Sequence, residues 1–269
     1  MCRVLAASLL AAVLAMAPAT AHADDDDVSK RSSQEAAVGI VAAGAYTTAT
    51  ALWGTSFVSD AKFEHRLLPA LALGAAGAWA LSAYDRKHPF AKGTLASVTS
   101  GAAVGLGIGL AWVLFDQAGT SPWSHRTSSS LLWGGATLGA GIGALSAWAG
   151  TTPGRAAFTG SAAYWTATAT GLLLASLGNT RDADRRGFLG AAVSLELGVI
   201  AAGWLGRRTN PTVSRVAWAA SLALAGGLAM GAGTWLASGR PDLARARATW
   251  GASAVGLLGG GVVGWVWAW

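Results

Sequence analysis

The sequence predicts an all-α membrane protein, a bundle of about eight glycine-rich transmembrane helices built from repeats of about thirty residues. Three observations carry that reading. Of the 269 residues, 53% are hydrophobic and only 12% charged, against about a quarter charged in a soluble domain. Runs of 18 to 27 residues with little or no charge recur eight times, parted by short turns that carry Arg or Lys. Most of the 14 tryptophans stand at the edges of those runs, where an indole buries its ring and keeps its N–H wet. An ordinary soluble enzyme and a disordered chain are excluded by this composition. A disulfide scaffold is excluded by the single cysteine, Cys2.

Residues 1–23 read as a secretory signal peptide. Arg3 supplies the positive start, Val4 to Met16 a short apolar region, and Ala21-His22-Ala23 the small-x-small cleavage site. Residues 24–35 follow as an acidic and polar exported segment that opens with four aspartates. Residues 36–269 form the polytopic domain of eight repeats. Its runs are Ala36–Val58, Leu67–Tyr84, Thr94–Phe115, Thr127–Pro153, Ala156–Thr180, Gly187–Gly206, Val216–Gly239 and Ala248–Trp269. Each is long enough to cross about 30 Å of hydrocarbon as a helix rising about 1.5 Å per residue. The repeat shows best in the turns of the second half, SPWSHRTSSSLLWGG, TTPGRAAFTGSAAYW, TNPTVSRVAWAAS and RPDLARARATWGAS. Trp165 is the clearest tryptophan placed mid-run.

A transmembrane β-barrel is the rival architecture. Val216, Trp218, Leu222, Leu224, Leu228 and Met230 all fall on even numbers, with Ala, Ser or Gly between them, and period two is a strand signal. A signal peptide and the aromatic end, Trp269, also suit an outer-membrane barrel. Three features favour helices. The middles of the runs lack hairpin-turn residues, the would-be lumen positions are Ala and Gly instead of polar residues, and no mid-repeat aromatic girdle is present.

On helices, small residues recur at four-residue spacing. Gly101, Gly105 and Gly109 form one series, Gly135, Gly139 and Gly143 a second, and Gly256, Gly260 and Gly264 a third. Weaker series run through Ala223, Gly227 and Gly231, and through Gly190, Ser194, Gly198 and Ala202. Such spacing puts the small residues on one face, where another helix can bring its backbone close. The expected role is packing inside the bundle; association of two copies into a homo-oligomer is the alternative use of the same faces.

Glu196 is the one ionisable residue inside an apolar run. A carboxylate at mid-bilayer costs at least ~2.5 kcal/mol on insertion scales and marks a functional candidate by default. Proton or cation coupling is one reading, and a neutral carboxyl bonded to a neighbouring helix the other. No catalytic, cofactor-binding or metal site is expected. The histidines (His22, His65, His88 and His125) lie in separate segments without ligand spacing, and neither a nucleophile elbow nor a phosphate loop is present.

The net charge of +6 invites a nucleic-acid partner, but the basic residues are scattered through loops without interleaved aromatics, so the lipid bilayer is the expected partner and nucleic acid is not. Loop charge does not orient the chain: nine basic residues fall on each side. The signal peptide alone sets an exported N-terminus, and the inner membrane of a bacterial envelope is favoured over the outer. The functional expectation is a non-enzymatic structural or scaffolding bundle, with a transporter or channel using Glu196 as the alternative.

Overall fold

In hydrocarbon every backbone amide must find its partner within the protein, which restricts a spanning chain to helices or a closed barrel. The computed structural model describes residues 33–58, 63–177, 182–237 and 243–267, and among them every regular element is a helix. These are α1 (Ser33–Val58), α2 (Phe63–Lys87), α3 (Thr94–Gln117), α4 (His125–Trp148), α5 (Pro153–Leu177), α6 (Ala183–Thr209), α7 (Val213–Ala237) and α8 (Leu243–Trp267). The signal peptide and most of the acidic segment lie outside the described residues. The helix α1 begins at Ser33, inside that segment.

The β-barrel alternative is therefore overturned, and α7 shows why the alternation misled. Its buried residues are Val216, Ala220, Ala223, Gly227 and Gly231, spaced by three and four as a helical face requires. Trp218, Leu228 and Met230 are exposed. Bulk alternates along α7, but burial follows the helix, because the small residues are the ones turned inward. The same inversion holds elsewhere: Leu138 is 71% exposed while Ala163 is 0% exposed. Lipid tails are as apolar as leucine, so large side chains lose nothing by facing them and small ones let helices approach.

Seven of the eight helices are long and apolar enough to cross a membrane, and α5 is the exception. Its place in the bundle accounts for this. It packs against α3, α6, α7 and α8, so much of its surface meets protein instead of lipid. Thr159, Thr168 and Ser176 donate to the carbonyls of Arg155, Tyr164 and Leu173 on α5 itself, which satisfies their hydroxyls within the helix. Trp165, mid-run, packs against Ala169, Ala254 and Leu257 between α5 and α8.

The most extensive contacts join helices that follow one another, α1 with α2, α3 with α4, α5 with α6, and α7 with α8. The chain is thus four antiparallel helical hairpins standing side by side. Their links on one side are short turns with readable chemistry. Gly93, at φ 89°, precedes α3 and Gly150, at φ 82°, follows α4, a backbone region that costs a side chain and suits glycine. Pro153 opens α5, where its missing N–H is no loss. Thr152 and Thr212 accept from the N–H groups of Arg155 and Arg215 at the starts of α5 and α7.

These turns also touch each other. The Glu35 carboxylate of α1 accepts from the Gly93 N–H at 2.9 Å and from the Ala96 N–H at 3.3 Å, capping α3. A Cβ on Gly93 would lie 2.7 Å from the Thr151 carbonyl oxygen, and one on Gly154 would collide with that of Pro211. Arg155 Nε donates to Asn210 Oδ1 at 3.0 Å. The starts of α1, α3, α5 and α7 are therefore tied in a row along one end of the bundle.

Candidate functional site

The glycine series of α3 and α4 face each other. A Cβ on Gly101 would collide with the Gly139 carbonyl oxygen, and one on Gly105 with that of Gly135. The reverse substitutions meet the same backbone from the other side, Gly143 meets Ser97, and a Cβ on Gly109 would lie 2.8 Å from the Leu131 oxygen. In the last hairpin Gly256 meets Gly226, Gly260 meets Leu222, and a Cβ on Gly264 would lie 2.7 Å from Ala219 Cα. Gly227 and Gly231 face Leu257 and Ser253 of α8, and Gly190 and Gly198 face Leu174 and Ala163 of α5. All of these faces meet a helix of the same chain.

Other close approaches carry no four-residue signal in the sequence. Gly226 has no four-residue companion that drew notice. Gly44, Gly74 and Gly77 bring α1 and α2 together against Thr47 and Thr48, and their irregular spacing hides the face.

Glu196 is the fourteenth of the 27 residues of α6, roughly 20 Å of helix from either end. It is exposed on the outside of the bundle. Its Oε1 accepts from the indole N–H of Trp112 at 2.9 Å. Trp112 lies five residues short of the end of α3, so the two Cα atoms stand at different levels. Side chains tilt toward their own helix N-terminus, and because α3 and α6 run antiparallel the indole and the carboxylate lean toward each other. Closer to the helix ends, the Arg185 guanidinium lies 4.8 Å from the centre of the Phe115 ring. Both contacts cross between α3 and α6 on the outside of the seam.

Behind that seam lies a slot of about 420 Å³ among α3, α5 and α6, with Trp250 of α8 also on its wall. Gly107, Ala111, Ala167, Gly171 and Ala191 on its walls are too small to fill the space between the helices. Leu195 and Tyr164 line its inner end; Gln117 and Asp184, both exposed, line the outer. Leu195 faces the slot and its neighbour Glu196 faces away from it, so the carboxylate does not line this cavity.

No protein-family model, curated protein or solved structure matches this chain.

A second group that sequence reasoning missed joins α1 to α4. The rings of Trp53 and Trp133 stack 4.2 Å apart at 3°. Trp53 donates to Ser130 Oγ at 3.1 Å, Trp133 to Thr50 Oγ1 at 2.9 Å, and the Tyr46 hydroxyl pairs with Thr137 at 2.7 Å. The three rungs descend both helices in antiparallel order. Edge tryptophans read from sequence as interface anchors, and nothing in their spacing revealed that two of them are stacked partners.

Proposed function

We propose that this chain is a non-enzymatic integral membrane protein that serves as a structural scaffold, four glycine-zippered helical hairpins repeating a unit of about thirty residues per helix. The observation that carries the reading is the character of the interior. Buried positions are almost all Ala, Gly, Val, Leu and Ser, and among the described residues the one buried acid, Asp85, lies in the last turn of α2. Such an interior gives close backbone packing, and among the described residues no row of buried acids or bases crosses the bundle. Glu196, the candidate for coupling, lies on the outer face with Trp112 as its donor. Because the glycine series are occupied within one chain, self-association would use other surfaces.

The setting follows from the sequence: export by the signal peptide, residence in a bacterial envelope membrane, the inner one favoured, and lipid, not nucleic acid, as the partner of the basic helix ends. The test is flux. Purified protein in proteoliposomes carrying a pH-sensitive dye should pass no more protons or monovalent cations than empty vesicles, with or without Glu196→Gln. A wild-type flux that Glu196→Gln abolishes would replace the scaffold with a transporter or channel.

A further inference from the structure

We propose that the slot among α3, α5 and α6 holds one acyl chain of a membrane phospholipid, with the phosphate at the Arg185 end. The inference rests on the chain being membrane-embedded. Polar demand inside the slot is already met: the Tyr164 hydroxyl donates to the Ala103 carbonyl and Thr168 to that of Tyr164. Buried water needs two to four polar partners, so this space is suited to hydrocarbon, and left empty its walls would forfeit their contacts.

Dimensions select a chain over a compact ligand. Along α3 the lining runs from Gly107 to Ala118, about 16 Å at ~1.5 Å per residue. That is about half of a ~30 Å hydrocarbon core, the depth of one leaflet. The volume falls in the usual range for small-molecule sites, roughly 300–1,000 Å³.

Charge selects the headgroup. Arg185 spans the seam beside the outer end, with Arg186 exposed next to it, and guanidinium donors match phosphate oxygens in pairs. Asp182 and Asp184 stand at the same end and suit an ammonium carried beyond the phosphate, so a zwitterionic headgroup fits both signs of charge there. The inner end of the slot meets Tyr164 and the buried Leu195, so the chain enters from the Arg185 side.

The protein, extracted in mild detergent and exchanged extensively, is weighed intact by native mass spectrometry. One phospholipid should remain per chain. Ala191→Phe, which fills the slot, should remove it, whereas Leu138→Phe on the lipid-facing surface should not. Arg185→Gln leaves the slot open and should lower retention about tenfold, as loss of a charge-assisted hydrogen bond does. Circular dichroism on each variant confirms the fold, and Arg185→Gln decides the matter if Ala191→Phe does not fold. Detergent alone in the slot, no adduct on the wild type, or a phospholipid that survives both substitutions would overturn the proposal. A chain that stays monodisperse without detergent would overturn the membrane reading itself.

Discussion

Replacing Gly135 with alanine presses a methyl group against the backbone of α3, whereas the same change one residue earlier, at Gly134, meets nothing within 4 Å. At Gly135 the added carbon would collide with the Gly105 carbonyl oxygen and lie 3.1 Å from its carbonyl carbon. Carbon atoms settle at about 3.5–4.0 Å, and neither obstacle is a side chain that can turn aside. The helices must part, and parting also loosens the Gly101–Gly139 contact in the same seam. Overpacking of this kind costs about 1–3 kcal/mol. Alanine's better helix propensity returns up to ~1 kcal/mol, but it does so at both positions. The difference between the two variants therefore isolates the packing term, and Gly135→Ala should be the less stable by about 1–3 kcal/mol. Equilibrium unfolding in mixed micelles, followed by helicity as a denaturing detergent is titrated, measures it. Two variants that unfold within about 0.5 kcal/mol of each other would refute close α3–α4 packing.

The Trp133–Thr50 rung should show a coupling of about 0.6 kcal/mol, and at most ~1.7, in a double-mutant cycle of Trp133→Phe with Thr50→Val; additive effects would mean the hydrogen bond does not form in the membrane. Glu35→Ala should cost roughly 1 kcal/mol by stripping the cap from α3, while Glu35→Gln keeps a carbonyl acceptor and should lose less, a ranking readable from thermal melts. Glu196→Leu should keep full helicity and insert at least as well as the wild type, since leucine removes an insertion cost of about 2.5 kcal/mol or more. A failure of that variant to accumulate in the membrane would show that the carboxylate holds the α3–α6 seam together.

Helix existence was legible here because charge punctuates the chain, but helix ends were not. The run Gly187–Gly206 stops where charge begins, whereas α6 extends from Ala183 to Thr209 and carries Arg207 and Arg208 in its last turn, where cations suit the helix dipole. Glycine series at four-residue spacing located faces without naming what each face meets. Gly105 and Gly135 lie thirty residues apart, and only the hairpin geometry joins them. The Trp53–Trp133 stack, the slot and the outward aim of Glu196 depend on non-sequential packing, which leaves no periodic mark. Period two in α7 misdirected because size stands for burial in water, and in lipid that link is reversed.

Helices that stand across a bilayer absorb polarised light differently from helices that lie in its plane. Oriented circular dichroism of the purified chain in aligned membranes therefore tests the transmembrane reading most directly. The spectrum should be helical, with the polarisation expected of helices lying near the bilayer normal. A strand spectrum, or helices lying in the membrane plane, would contradict it.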